Sequence, residues 1–128
     1  MSRDPKKLEV FQMADDLVVE VYRATRSMPA EERFGLQMQL RRAAVSVPTN
    51  IVEGSARHSS REYANFLNIA LGSATEVRYL LGLSQRLDLL KKPDAEALVA
   101  KYDRLVRALS ALVTHFMPIA KSRGEARP

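Results

Sequence analysis

Apolar positions recur at steps of three and four along most of the chain, the period of an amphipathic α-helix. The first run, Phe11, Ala14, Val18, Val21, Tyr22 and Thr25, predicts a helix from about Leu8 to Ser27. Met28-Pro29 interrupts it, because the residue before a proline avoids the helical region. Pro29 is placed to open the next helix, where its missing N–H costs nothing. A second helix is expected from near Ala30, with the stripe Leu36, Leu40, Ala43, Ala44, Val47 and Ile51. The stripe continues through Pro48, which predicts one helix kinked there, since a mid-helix proline removes the bond to the carbonyl four residues back.

The third helix has a sharper start. Ser59 followed by Glu62 forms a capping box, in which the hydroxyl accepts from a free backbone N–H of the first turn. Tyr63, Phe66, Leu67, Ala70, Ala74, Val77, Leu81 and Ser84 follow with helical spacing. Ala70, Gly72, Ser73 and Ala74 make a small-residue patch that suggests close approach by another helix. "KKPDAE" then separates the third helix from a fourth built on Leu98, Tyr102, Leu105, Leu109, Leu112 and Phe116. Val99, Val106 and Val113 widen that face. Four helices with short connections predict an all-α fold, an up-down-up-down antiparallel four-helix bundle. We expect a single domain over residues 1–120 and a basic, flexible tail over 121–128.

The polar positions carry the functional question. On the second helix Gln39, Arg42, Ser46, Asn50, Glu53 and Arg57 follow one another at steps of 3, 4, 4, 3 and 4. One face is therefore polar, and it is either solvated or packed against something. Short residues such as Ser46 and Asn50, beside alanines and a proline, suit a packed surface better than the lysines and glutamates of a solvated one. Glu53 and Arg57 stand in the favourable order for an i, i+4 pair.

Composition narrows the chemistry. The 128 residues include 20 basic and 15 acidic side chains, a formal charge of +5, and fourteen of the basic residues are arginine. That balance favours polyanions. With no cysteine, neither a disulfide nor a thiolate metal site can form. A di-iron bundle site needs Glu-x-x-His pairs, but Ser55 and Leu112 stand three before His58 and His115. "EGSARHSS" lacks the lysine and spacing of a phosphate loop, and two histidines in these settings support no Ser-His-acid triad. We therefore expect no enzyme and no cofactor. No apolar run approaches the roughly 20 residues that span a bilayer, and no helix joins exposed aromatics to a lysine-rich face. The expectation is a cytoplasmic protein without a membrane partner.

Three stretches, "LEVFQMADDLVVEVY", "FGLQMQLRRAAVSVPTNIVEGSAR" and "EYANFLNIALGSATE", resemble the four-helix-bundle proteins encoded in 23S ribosomal RNA intervening sequences. That family is distantly related to the accessory variability proteins of diversity-generating retroelements. The resemblance spans roughly residues 8 to 90. Met28 stands where the family usually has phenylalanine, and Val52 where it has alanine.

The resemblance implies a bundle that assembles with itself, as a ring-like homopentamer, and no catalysis. It makes RNA or DNA the leading partner. The candidate phosphate contacts are Lys6, Lys7, Arg41, Arg42, Arg57 and Arg61. Through it the polar stripe reads as a subunit interface involving Ser46, Pro48, Asn50, Glu53, Glu62, Asn65 and Glu76. Asn50, Glu53 and Arg57 would bond Glu62, Asn65 or Glu76 within or across chains. The alternative is a protein-protein adaptor or ring scaffold for an acidic or reverse-transcriptase-like partner.

Overall fold

The computed structural model describes the backbone of residues 5–124 and the side chains of residues 9–117. Lys6 and Lys7 therefore lie outside the described side chains. Of the expected tail, 121–124 are the last helical turn and 125–128 lie outside the described residues.

Four helices follow one another: α1 Pro5–Thr25, α2 Leu36–Ser55, α3 Ser60–Arg86 and α4 Lys92–Gly124. In space α2 lies between α1 and α3, and α4 closes the bundle against α3 and α1. No strand occurs among the described residues. The core is made by Leu17, Leu40, Leu67, Leu81, Leu105 and Leu109, all nearly inaccessible to water. Every apolar residue expected on the stripe of α2 is buried.

Two features differ from the sequence reading. A 3-10 turn at Ala30–Glu32 precedes α2, which starts only at Leu36. Gly35, with φ −108° and ψ −119°, breaks the continuity. It has no side chain to cap the helix, and Glu32 Oε1 accepts from Leu36 N–H at 3.0 Å instead. The buried line of α1 is Val10, Ala14, Leu17, Val21 and Thr25, while Phe11 and Val18 are only half-buried and Tyr22 is exposed. The apolar face of α1 is wider than the core needs, and its surplus lies toward α2.

The expected cap of α3 is present, with Glu62 N–H donating to Ser59 Oγ at 3.1 Å. Its other end closes on a residue in the left-handed region. Asp88 has φ 60°, Leu89 N–H donates to Ser84 O at 2.8 Å and Asp88 N–H to Gln85 O at 3.0 Å. Those two bonds are the Schellman pattern that satisfies a helix's last carbonyls.

The hydroxyl of Tyr102 is buried and finds no hydrogen-bond partner among the described residues. A buried polar group without a partner costs stability. Tyr102→Phe removes only that oxygen, so the variant should match wild-type stability or exceed it by up to about 1 kcal/mol at neutral pH. Burial, reinforced by the Glu20 carboxylate, raises this phenol above its ordinary value of 10.0. The unfolded chain thus loses the proton first, so wild-type stability falls as pH rises above about 10, a loss the variant escapes. Urea denaturation near neutral pH and near pH 11 checks both parts. A wild type that keeps pace with the variant at the higher pH would overturn the second.

Candidate functional site: a groove between the first two helices

The residues of the polar stripe on α2 divide among three settings. Ser46 Oγ and Ser73 Oγ share a hydrogen bond of 2.8 Å between α2 and α3, and Asn50 Nδ2 donates to Ser46 O and Oγ at 2.8 and 3.0 Å. These short polar side chains serve the seam within the bundle. Thr49 Oγ1 also donates, to Val45 O at 2.8 Å, so the hydroxyl and amide side chains just after Pro48 bond carbonyls in the turn before it. Pro48 is buried. Further along, Arg57 turns its guanidinium onto the Phe66 ring, 4.8 Å from its centroid, and no ion pair joins it to Glu53 among the described residues. Glu53, Glu62, Asn65 and Glu76 are all exposed.

Arg41 and Arg42 occupy opposite situations although they are neighbours in sequence. Arg41 Nε donates to Thr25 Oγ1 at 3.0 Å and its terminal nitrogen to Tyr22 O at 3.1 Å. The guanidinium also lies over the Tyr22 ring, 4.4 Å from the centroid. Gln37 Nε2 adds a bond to Thr25 O at 2.9 Å. The last carbonyls of a helix lack partners of their own and carry partial negative charge. Arg41 and Gln37, reaching over from α2, supply donors and a positive charge to that end of α1. Arg41 is therefore a clamp between helices, its guanidinium already engaged by the end of α1. Arg42 lies about 100° further round the helix and is exposed.

Between α1 and α2 the surplus apolar face of α1 and the outer face of α2 line one groove. Its first part, a hollow of about 380 Å³, is walled by Phe11, Val18, Val45, Pro48 and Val52, with Asp15 and Glu53 at its rim. A second part of about 420 Å³ continues past Val45 and Thr49 to Tyr22, Arg41 and Arg42, with Ser46 and Asn50 alongside. Short side chains on the α2 wall, Val45, Pro48, Thr49 and Val52, leave the space open. The groove is thus apolar in the middle, basic at one end and acidic at the other. Periodicity revealed the polar stripe but not this groove. Its signal was the excess width of the α1 stripe, where Phe11, Val18 and Tyr22 add to a face already supplied by Ala14 and Val21.

The other candidate cations lie elsewhere. Arg57 and Arg61 are exposed on either side of the turn joining α2 and α3. From Arg42 to the end of α2 at Ser55 the helix rises about 20 Å, so the two places are separate. His58 is exposed in the same turn, and the ring of His115 packs edge-on against Phe116 at 4.8 Å. No group of acidic and histidine side chains suited to a metal occurs among the described residues. No described helix is long and apolar enough to cross a membrane.

The fold and this site define a four-helix-bundle protein whose candidate site is an open groove along two helices. The chain belongs to the 23S rRNA-intervening sequence protein family, whose sequence model matches residues 6–111. It is similar in structure to a protein of unknown function from the S23 ribosomal protein family of Bacteroides thetaiotaomicron, with a TM-score of 0.79 and 24% identity. The similarity covers 85% of this chain and 98% of the other. Among curated proteins, none matches it.

Proposed function

We propose that this is a cytoplasmic, non-catalytic bundle that assembles with itself, five copies to a ring, and binds RNA through a basic surface. The observation that supports it is the placing of Arg57 and Arg61, both exposed at the α2–α3 turn. The same end of an antiparallel bundle holds the start of α1, whose sequence supplies Lys6 and Lys7. A ring repeats each cation once per subunit, which raises the local potential for a polyanion. The tie of the family to 23S ribosomal RNA makes RNA the first ligand to try.

Fluorescence anisotropy with structured ribosomal RNA fragments, titrated with salt, tests the reading. Wild type should bind at micromolar or tighter affinity near physiological salt. Arg57→Gln with Arg61→Gln should weaken binding to all sequences alike. It should also flatten the slope of log K against log salt by about one for each phosphate that an arginine had neutralised. Unchanged affinity and slope in that variant would rule this surface out. Binding confined to low salt, and equal for every polyanion, would make the charge incidental.

A further inference from the structure

We propose that the outward face of α3 in one copy of this chain seats in the α1–α2 groove of the next copy. The inference rests on the self-assembly proposed above and says which surfaces meet.

The α3 face is the sequence Glu62, Asn65, Ile69, Gly72, Glu76 and Tyr79, at alternating steps of three and four, and every one of these residues is exposed. Within one chain nothing covers it. Ile69 is 53% accessible and Tyr79 60%. Gly72 lies mid-helix, where glycine costs about 1 kcal/mol relative to alanine. Yet a Cβ there would meet nothing within 4 Å. The small-residue patch seen in the sequence divides accordingly. Ala70 and Ala74 are buried in the bundle, Ser73 bonds α2, and Gly72 faces away. An open glycine one turn from an exposed isoleucine and one turn from a glutamate is a place where another backbone can come close.

The groove matches this face in length, character and charge. Val45 and Val52 stand seven positions apart, as do Ile69 and Glu76, and each span is about 10 Å of helix. Heights along the bundle are set by contacts across the α2–α3 seam. Ser46 is level with Ser73 through their hydrogen bond, and Gly54 is level with Phe66 and Tyr63. Arg42, one turn from Ser46, is then level with Glu76, and Glu53 is level with Asn65. If successive copies stand side by side at equal height, Glu76 meets Arg42 and the amide of Asn65 meets the Glu53 carboxylate. Ile69 and Gly72 meet Val45, Thr49 and Val52. Charge and hydrogen-bonding sense are therefore complementary at both ends of an apolar middle.

The two faces are different surfaces of the chain, so the contact is head-to-tail and leaves a free face on each side. A head-to-tail contact with no shift along the bundle axis closes into a ring when its rotation divides a full turn, whereas a shift would wind into a filament. That the chain's own α3 complements its own groove favours a second copy over an unrelated helix as the occupant.

Two substitutions at exposed positions separate the faces. Gly72→Arg fills open space on α3, and Thr49→Arg stands in the middle of the groove. Circular dichroism melts confirm that both fold. In sedimentation velocity of the full chain, wild type should be an oligomer and each variant alone a monomer. Mixed in equal amounts they should form a one-to-one dimer and nothing larger. The intact α3 face of Thr49→Arg fits the intact groove of Gly72→Arg, and both remaining faces are blocked. Arg42→Glu should weaken assembly by about tenfold or more, and adding Glu76→Arg to the same chain should restore it.

Variants that still assemble, or a mixture that stays monomeric, would overturn the pairing of faces while leaving self-assembly standing. A wild-type chain that is monomeric at every concentration would overturn both, and would leave the groove to a helix from another protein.

Discussion

Gly54→Ala should lower stability by about 1–3 kcal/mol, the range found when a methyl group is forced into a packed site. Helix propensity argues for the opposite sign, since alanine is favoured over glycine by about 1 kcal/mol in a helix interior. The geometry decides between them. A Cβ at Gly54 would lie 2.7 Å from Phe66 Cβ and 3.0 Å from Tyr63 Cδ1. Phe66 Cβ is bound directly to the α3 backbone and cannot swing aside, so α2 and α3 would have to separate near the turn. Tyr63 also packs edge-on against Phe116 of α4, with centroids 4.9 Å apart, so moving it disturbs a third helix. A thermal melt should fall by roughly 4 °C for each kcal/mol lost in a chain of this size. A melting temperature at or above wild type would mean that the seam relaxes freely and that the close approach is not needed.

The second large effect concerns two adjacent arginines. Arg41→Ala should cost about 1–2 kcal/mol, because it removes two hydrogen bonds and a cation–π contact and leaves the end of α1 less well satisfied. The figure is held down by solvent access to the bond with Tyr22 O. Arg42→Ala should change the stability of the chain by less than about 0.5 kcal/mol, as is usual for an exposed position without such partners. Urea denaturation in dilute solution distinguishes them, with an unchanged m-value showing that stability alone has moved. Equal losses in the two variants would sink the assignment of Arg41 as the clamp on α1. The contrast also bears on RNA. An Arg41 variant that binds less well would do so by loosening the bundle, which is why Arg57 and Arg61 carry the binding test.

Much of the architecture was legible because it depends on neighbours in sequence. The stripe Leu36, Leu40, Ala43, Ala44, Val47 and Ile51 is buried throughout, since a helix places such spacing on one face whatever it packs against. The cap at Ser59 could be read for the same reason, its bond to Glu62 N–H spanning a single turn. The start of α2 was less legible. Glu31 and Glu32 resemble a first helical turn, but Gly35 and the 3-10 geometry before it delay the helix to Leu36.

What only the tertiary structure decided involves residues brought together from far apart. Arg41 and Arg42 are chemically identical, and a rotation of about 100° puts one on Tyr22 and Thr25 and leaves the other in water. Gly54 looks like one more small residue until Phe66 and Tyr63 are set against it. Ser46 and Asn50 belong to the polar stripe, yet Ser46 bonds Ser73 across the seam. The groove exists because α1 has a wider apolar face than its neighbours cover. The helices were thus determined by local periodicity and hydrogen bonding, which the chain carries in its order of residues. Which arginine clamps, which glycine is required and where a groove opens were decided by the angle and height at which those helices pack.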